Sequence, residues 1–507
     1  MRRSLFAAST AATALTAALA LAVNTPAAAG AVGGHGHEPW VKRSAVQRTD
    51  PREFRSLCRE EQDGKPERRT FPLFAHGKGF TAVEDFKSLE ADGTVFWAGH
   101  DPGHPENTIA VSVIGACTAG PVTLSGEIEV GSLEYQYSPL AKRPGRYLLQ
   151  EIDTLKLPPS GQGVDTVTLP PSRSHKPHKP GLRVATPDNP AAIDIVVAYT
   201  PATVTELGSV GAVQGRINYG VNQLNRALAT SGVPASVHVV HSYQTQATGV
   251  PRENAGTLLS RISNPANLTL GATAAAQREA FGADLVALVA AIPPEDSSGQ
   301  ADLPNPAGPA TDNDAFSVTS AYSITGWENL AHEIGHNFGL MHDRKTVVNQ
   351  GGTTPVGTFN YGWVTPDQRH HTIMAYSSAC TLRCQVVNQY SNTENLLNGQ
   401  ALGDADNNNA AVATQAAEFL AGYRASTVTN RVSLDLATSP VAGGSVKPSE
   451  YGPYDPGSVV TVTATPNGGF QFAGWEVDGV LQNVTTPSYR ITMNADHRVV
   501  ALFTETP

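Results

Sequence analysis

The sequence predicts a three-part protein in which a central α/β (α+β) domain with a mixed, twisted sheet lies between a β-rich segment and a small all-β domain. Three observations predict this architecture. Apolar strand-like runs alternate with helical periodicity between residues 191 and 424. Short alternating runs separated by Gly, Pro and Asp occupy residues 30–156, and strand-like runs return at 431–507. A length of 507 residues also suits about three domains.

The first 29 residues have the pattern of a signal peptide. Arg2 and Arg3 precede a long run of Ala and Leu, and the three alanines at 27–29 supply the small residues of a cleavage site. The paired arginines also fit a twin-arginine signal loosely, so both export routes stay open. We therefore expect a secreted, extracellular protein. No later stretch is apolar enough to predict a membrane span.

Residues 157–190 are rich in Pro, Ser, Gly and basic side chains and show no apolar period. Such a composition cannot supply one face of a helix or strand to a core. It therefore indicates an exposed linker between the β-rich segment and the central domain, open to cleavage by proteases.

The four cysteines of the chain suit an exported protein with few disulfides. The simplest pairing joins Cys58 to Cys117 and Cys380 to Cys384, because each pair lies within one part of the chain. The connectivity stays open at this stage, since spacing alone does not determine which cysteines pair.

The central domain begins where the pattern changes, at "IDIVVAYTPA" from residue 193. The next stretch has Ile217, Val221 and Leu224 at helical spacing and ends at Gly232, a residue typical of helix ends. Between 191 and 424 there are 18 Asp and Glu against 10 Lys and Arg, within a formal net charge of −10. This acidic balance argues against a nucleic-acid partner, which requires a basic surface.

The stretch "AHEIGHNFGLMHDR" at residues 331–344 carries the candidate site. We predict a helix from about 326 to 338, begun by a capping box of Thr325 and Glu328, which are three residues apart. Gly339 would end this helix in the left-handed conformation, where glycine has no steric penalty. The chain could then reverse directly after the helix.

Three histidines of this stretch have the spacing of a metal site. His332 and His336 are four residues apart and share one helical face, and the turn after the helix lets His342 approach them. Three protein ligands leave a position for water, as in a catalytic rather than a structural zinc site. Glu333 lies about 100° further round the helix, where it can act as the base for that water. The sequence therefore predicts one catalytic Zn²⁺.

This pattern resembles that of the metzincin zinc metalloproteases, which also carry a methionine turn further along the chain. The resemblance implies that Met374, in "HHTIMAYSSAC", forms an apolar floor under the ligands. Asp343 directly follows the third histidine, as in the adamalysin or reprolysin branch, which implies that it braces the methionine turn. Tyr376 would be a displaceable further ligand or would stabilise the oxyanion.

The resemblance covers about residues 190–424 and is to bacterial secreted reprolysin-like peptidases, a group that includes the peptidyl-Asp metalloendopeptidases. Two cysteines often follow the methionine turn in this group. Cys380 and Cys384 match them, which implies a local disulfide in the wall of the specificity pocket. Arg369 and Arg383 are either ordinary surface residues or select an acidic substrate side chain through paired hydrogen bonds.

The flanking parts also resemble known modules. Residues 30–156 are similar to the propeptides of these enzymes, notably at "FPLFAHGKGFTAVE", which implies a zymogen cleaved within the 157–190 linker. In related enzymes a propeptide cysteine can block the zinc, so Cys58 or Cys117 would either do so or form a disulfide. Residues 431–507 resemble the internalin-type B-repeat module, for which binding to a surface or polymer is plausible.

Together these features predict a secreted, monomeric zinc endopeptidase that acts on protein or peptide substrates. A substrate strand would lie along an edge strand at "SGQADL", residues 298–303. The alternative is a non-catalytic adhesion or binding protein on a peptidase scaffold, against which the presence of Glu333 argues. The natural substrate stays open, as does calcium binding, for which "GDADNNN" is merely suggestive.

Overall fold

The computed structural model describes residues 40–58, 67–74, 79–140, 142–153, 156, 185–187, 189–248, 252–293, 296–304, 306–326, 328–381 and 384–506. The predicted signal peptide at 1–29 lies outside these residues, as do Arg383 and most of the predicted linker at 157–190. Within the described ranges, no helix is both long and apolar enough to cross a membrane.

The N-terminal part is one antiparallel sheet in the order β1-β8-β7-β6-β5-β4-β3-β2. Its strands are β1 Val41–Arg48, β2 Arg68–Pro72, β3 Gly79–Leu89, β4 Val95–Asp101, β5 His104–Ile114, β6 Thr123–Val130, β7 Leu133–Pro139 and β8 Arg146–Asp153. A short helix, α1 (Pro51–Phe54), and a 3-10 turn (Arg55–Cys58) follow β1. The Cys58–Cys117 disulfide ties this segment to the chain after β5.

The central part is a mixed sheet with helices on both faces. Its order is β10-β9-β11-β13-β12, in which only the pairing of β12 with β13 is antiparallel. The strands are β9 Ala191–Tyr199, β10 Ala235–Gln244, β11 Leu285–Ala290, β12 Gly299–Ala301 and β13 Phe316–Ser320. The helices are α2 Pro201–Leu207, α3 Val210–Thr230, α4 Ala255–Ile262, α5 Gly271–Ala280, α6 Ser323–Gly326, α7 Asn329–Asn337, α8 Arg344–Asn349 and α9 Asn409–Leu420. This confirms the predicted combination of a mixed sheet and helices.

Four short strands and a 3-10 turn lie between α8 and α9. They are β14 His370–Thr372, the 3-10 turn Ser377–Ala379, β15 Gln385–Val387, β16 Leu396–Leu397 and β17 Gln400–Ala401. β14 pairs with β15, and β16 pairs with β17, so this region forms two small ribbons apart from the main sheet. The Cys380–Cys384 disulfide closes the loop that joins β14 to β15.

The middle of the main sheet is buried on both faces, as expected for parallel strands that are covered by helices. All six residues of β11, which reads LVALVA, are buried. One face packs against α3, α7 and α9 in the largest core cluster, and the other packs against α4 and α5. Gly232, with a φ of +77°, follows α3 in the left-handed conformation, as predicted for the end of that helix.

The C-terminal part is a small module of two sheets. One has the order β18-β24-β21-β22 and the other β19-β20-β23. The strands are β18 Leu434–Ser439, β19 Gly444–Pro448, β20 Val459–Pro466, β21 Phe470–Val477, β22 Val480–Leu481, β23 Ser488–Thr492 and β24 His497–Glu505, with a 3-10 turn at Val441–Gly443. Trp475, Met493 and Phe503 are buried in a core of its own. The predicted β-rich C-terminal region is confirmed.

Charged groups attach the C-terminal module to β9 and β10. β10 is the outer strand at the opposite end of the main sheet from β12. Arg431 forms ion pairs with Asp194 of β9 and with Asp455 of the module. Asp455 also lies 3.4 Å from Nδ1 of His238, on β10. The hydrogen bond from His238 is the main reason why the pKa of Asp455 is lowered to about 2. The module is therefore held against the central domain by side-chain contacts as well as by the chain.

The N-terminal sheet docks on α3 through one buried ion pair and an aromatic cluster. Nη2 of Arg216 donates to Oε2 of Glu127 at 2.9 Å, and both side chains are less than 10% exposed. The rings of Phe96 and Tyr219 lie 5.3 Å apart. A side chain at Gly215 would collide with Phe96, so the helix and the sheet approach closely at this point.

Carboxyl groups near this contact have raised pKa values. Burial, followed by the charge of Glu127, raises the pKa of Glu134 to about 7. Burial also raises the pKa of Glu206 to about 7 and that of Glu328 to about 8. Burial therefore disfavours charged carboxyl groups in this region, where the guanidinium of Arg216 contacts Glu127.

Replacing Arg216 with Met is expected to destabilise the full-length protein by about 3–5 kcal/mol, because the Glu127 carboxylate then stays buried without this cation. Urea denaturation followed by tryptophan fluorescence measures the change. Arg68→Met, at an exposed position on β2, is the control and should change stability by less than about 0.5 kcal/mol. Equal losses in the two variants would show that the buried ion pair does not stabilise the contact.

Candidate metal centre

The start of the site helix differs from the prediction. α7 begins at Asn329 rather than near 326, and Thr325 belongs to the separate short helix α6. Glu328 has a φ of +52° and makes no side-chain cap. The predicted capping box of Thr325 and Glu328 is therefore wrong. The physical reason is tertiary, because the buried Glu328 side chain accepts a hydrogen bond from Gln223 of α3 at 3.4 Å instead of capping α7.

The end of α7 agrees with the prediction. Gly339 has a φ of +86°, and its backbone N–H donates to the carbonyl of His336 at 2.8 Å. The N–H of Leu340 donates to the carbonyl of Gly335 at 3.1 Å. These two bonds form the Schellman arrangement, which satisfies carbonyls that the helix end would leave open. The chain reverses here and carries His342 back toward the helix.

The three predicted histidines meet in one place. Nε2 of His342 lies 3.1 Å from Nε2 of His336 and 3.2 Å from Nε2 of His332. Among the described residues, this is the one cluster whose ligand atoms could hold a metal ion, with those atoms within 4.8 Å of one another. All three side chains are buried. The spacing predicted from the sequence is therefore realised as a compact set of nitrogen donors.

The opposite ring nitrogen of each histidine faces an oxygen. Nδ1 of His332 lies 2.8 Å from the carbonyl of Ile373, and Nδ1 of His336 lies 2.7 Å from the carbonyl of Leu340. Nδ1 of His342 contacts Oε1 of Gln350 at 3.0 Å. An oxygen accepts a proton from Nδ1, so each neutral ring presents the lone pair of Nε2 toward the cluster. This donor set fits a metal ion such as zinc.

Met374 and Asp343 both pack beside the histidine-bearing segment. The chain turns at 372–375, where the N–H of Ala375 donates to the carbonyl of Thr372. Met374 is fully buried, and its sulfur would lie 2.6 Å from a Cβ at Gly335, so it packs directly under α7. Oδ2 of Asp343 accepts the backbone N–H of Tyr376 at 3.1 Å. Asp343 thus connects the third histidine to the segment after the turn.

Glu333 and Tyr376 border the histidine cluster. Glu333 lies on α7 between two of the histidines and is 1% exposed. A Cβ placed at Gly299 would lie 2.3 Å from Oε1 of Glu333, so the carboxylate packs directly against the outermost strand, β12. The half-buried ring of Tyr376 is centred 4.6 Å from the ring of His342 and 5.7 Å from that of His332.

Arg369, Cys380 and Cys384, three of the residues predicted for the wall of the specificity pocket, are among the described residues. Cys380 and Cys384 form a disulfide, which confirms the pairing that the resemblance implied. Arg369 is exposed, and its backbone carbonyl accepts the N–H of Gln385, one residue past this disulfide. Arg383 lies outside the described residues. Arg369 therefore lies beside the disulfide loop.

The stretch "GDADNNN" accepts hydrogen bonds from Arg344. The guanidinium of Arg344 donates to the carbonyl of Asp406 at 2.9 Å and to Oδ1 of Asn407 at 3.2 Å. Oδ1 of Asp404 accepts two hydrogen bonds from its own turn. These oxygens are thus engaged by protein donors, and the turn itself is fixed by Arg344, whose guanidinium also lies over the ring of Tyr361.

Three further residues contact the site and were not singled out from the sequence. Gly299 makes room for the Glu333 carboxylate, and Gln350 contacts His342. The hydroxyl of the buried Tyr390 donates to the carbonyl of Ala331 on α7 at 2.8 Å. Gly299 lies in the "SGQADL" segment that the sequence predicts as an edge strand, but that pattern does not reveal its contact with Glu333. Gln350 follows Asp343 by seven positions, which is two helical turns, and this spacing was the one available signal.

The fold and the histidine cluster define the central domain as a metallopeptidase. Residues 189–408 match the family model described as metallo-peptidase family M12B, reprolysin-like. Residues 434–507 match the divergent InlB B-repeat domain. The chain therefore combines a reprolysin-like domain with a B-repeat module, which confirms the resemblance. By class it is a metalloendopeptidase, and this class implies a bound metal.

Two relatives share one name. A peptidyl-Asp metalloendopeptidase of Stenotrophomonas maltophilia is 26% identical over 355 residues, covering 67% of this chain and 80% of the relative. Another of Xanthomonas campestris is 24% identical over 361 residues, covering 69% and 81%. The solved structure of metalloproteinase-II from Bacteroides fragilis is 13% identical, covers 55% of this chain and 82% of its own, and has a TM-score of 0.33. This last likeness is too low to support an argument.

Replacing Gly299 with Ala is expected to lower casein hydrolysis about 100-fold, because the added methyl group must displace the carboxylate of Glu333 by an ångström or more. Binding of zinc by the histidines should persist, as a competition assay with a coloured chelator measures. Gly308→Ala is the matched control, since a Cβ there meets no atom within 4 Å. Parental activity in the Gly299 variant would contradict the importance of this contact.

Proposed function

We propose that this protein is a secreted, zinc-dependent endopeptidase, made as a precursor, that hydrolyses peptide bonds in protein substrates with Glu333 as general base. The observation that carries the proposal is the convergence of three imidazole Nε2 atoms at the end of the helix that bears Glu333. The carboxylate of Glu333 packs against the outermost strand of the sheet, where an extended substrate could lie.

His332, His336 and His342 would hold one zinc ion. Three nitrogen ligands suit zinc and leave a coordination position for water, as catalytic sites require. The Nδ1 contacts fix the orientation of each ring, so little reorganisation is needed on binding. When bound, zinc supplies a Lewis acid that polarises a carbonyl and lowers the pKa of water to about 7.

Glu333 takes a proton from the attacking water on a carboxylate oxygen and delivers it to the nitrogen of the leaving amine. Its burial keeps bulk water away, and Gly299 sets the position of its carboxylate relative to β12. The hydroxyl of Tyr376 donates a hydrogen bond to the developing oxyanion. The contact of its ring with His342 supports this assignment, as does the hydrogen bond that ties its backbone to Asp343.

The substrate would bind as an extra strand beside β12. This strand is the outermost one of the main sheet and covers part of the predicted "SGQADL" segment. An extended peptide satisfies its backbone groups by pairing with such an edge. Because Gly299 of β12 contacts Glu333, a paired peptide would run past the base.

We assign the preference for an acidic residue after the scissile bond to Arg369 and Arg383. Both relatives bear the name peptidyl-Asp metalloendopeptidase. Arg369 is exposed beside the Cys380–Cys384 loop, and a guanidinium binds a carboxylate through paired hydrogen bonds. Acidic residues outnumber basic ones in this domain, so an exposed arginine is one of few cations that could bind an acidic substrate side chain.

The N-terminal sheet is proposed to be the propeptide of this enzyme, with cleavage in the 157–190 linker. Its two cysteines form the Cys58–Cys117 disulfide, so a thiol from this sheet does not serve as the ligand that blocks zinc. The signal-peptide pattern at 1–29 supports secretion, and disulfides suit an oxidising compartment. We further propose a monomer whose C-terminal module binds a surface or polymer.

Glu333→Gln is expected to reduce casein cleavage by about 10²–10⁴-fold, because the amide cannot accept the proton from water. The variant should bind zinc as the parent does, and 1,10-phenanthroline should abolish the activity of the parent. The exposed Glu394→Gln is the control and should retain activity. Cleavage unaffected by the change at Glu333 would overturn the mechanism and leave a binding protein on a peptidase scaffold as the alternative.

Arg369→Met is expected to reduce the preference for Asp over Leu after the scissile bond by about tenfold or more, because one charged hydrogen-bond donor is lost. Comparing kcat/KM for peptides with Asp, Asn or Leu at that position measures this effect. Arg226→Met, on the exposed side of α3, should leave the preference unchanged. Equal rates for the three peptides with the parent enzyme would refute the assigned specificity.

A further inference from the structure

The third histidine differs from the other two in what holds its ring. The acceptors for His332 and His336 are backbone carbonyls, of Ile373 and Leu340, whose positions the main chain sets. The acceptor for His342 is the side-chain oxygen Oε1 of Gln350, at 3.0 Å from Nδ1. His342 is also the one ligand that is not on α7. Its orientation therefore depends on a side chain that a substitution can change.

Helix α8 brings Gln350 to this place. Asp343 caps its N-terminus: Oδ1 accepts the N–H of Thr346 at 2.9 Å and Oδ2 accepts its hydroxyl at 2.6 Å. Gln350 caps its C-terminus, and the N–H of Gln350 donates to the carbonyl of Thr346 at 2.9 Å. Positions 343 and 350 are seven residues apart, close to two full turns, so they share one face of the helix.

Both ends of α8 are therefore tied to the site. At its start, Asp343 accepts the backbone N–H of Tyr376, beside the methionine turn. At its end, the side chain of Gln350 contacts the ring of His342, two residues before the helix. The left-handed Gly351, with a φ of +80°, then directs the chain away, and Gly352 donates to the carbonyl of Val347. The segment 342–352 forms a closed unit around the third ligand.

We propose that Gln350 is a positioning residue for the metal centre: its carbonyl oxygen accepts the Nδ1 proton of His342 and so directs Nε2 of that ring to the metal. This inference rests on the proposed function. A neutral imidazole has two tautomers, and the oxygen of Gln350 selects the one in which Nε2 is free of a proton. Loss of such an orienting acceptor commonly lowers metal affinity about 10–100-fold.

A pair of substitutions at this position separates positioning from packing. Gln350→Met keeps a similar length and removes the acceptor, whereas Gln350→Glu keeps an acceptor at the same place. If the oxygen orients His342, the Met variant binds zinc about 10–100-fold more weakly, and the Glu variant binds at least as tightly as the parent. Asn349→Met, at the exposed neighbouring position, is the control and should bind zinc as the parent does.

Zinc affinity of the metal-free full-length chain is measured by competition with a chromophoric chelator, together with the unfolding midpoint of the metal-free protein. We expect the midpoints of all variants to agree, so that any loss of affinity is not a loss of fold. Parental affinity in Gln350→Met, or equal losses in the Met and Glu variants, would overturn the proposal. A parent chain that binds no zinc would refute the proposed function itself, which is a distinguishable result.

Discussion

The left-handed turn at Gly339 is the constraint on which the metal centre depends. A helix can present His332 and His336 from one face, but its axis carries any later residue away from them. The two hydrogen bonds that close the Schellman arrangement reverse the chain within one turn and return His342 to within 3.2 Å of both partners. A Cβ at Gly339 would meet the carbonyl oxygen of Pro304 at 2.9 Å, so crowding and a positive φ both favour glycine.

The elements around this turn support it from beneath and from the side. Met374 packs under α7 at Gly335, where any side chain would collide with its sulfur. Asp343 connects the third histidine to Tyr376 through one carboxylate oxygen and begins α8 with both. Short-range bonds thus assemble the ligands, and contacts between distant segments hold the assembly rigid. Because the donor atoms are already oriented, the free-energy cost of ordering them when a metal binds is small.

The accessory parts contact the central domain at α3 and at β10. The N-terminal sheet packs on α3 through Arg216 and Tyr219, and the C-terminal module contacts β10 through Asp455. β10 and β12 are the two outer strands of the main sheet. In the described residues, the edge proposed to receive a substrate strand is therefore at the other end of the sheet from the C-terminal module.

Local features of the sequence by themselves determined the class of protein and the residues of its metal centre. The spacing of His332 and His336, the helix-ending Gly339 and the buried run of β11 act through near neighbours, so the sequence reveals them directly. Tertiary structure alone decided where α7 begins, because the buried Glu328 pairs with Gln223 of another helix rather than capping its own. It also decided that Gly299 fits against Glu333 and that Gln350 contacts His342. Glu328 and Gln223, like Gly299 and Glu333, are far apart in the chain, and the two-turn spacing of Asp343 and Gln350 does not by itself reveal the contact with His342, so packing determines all three.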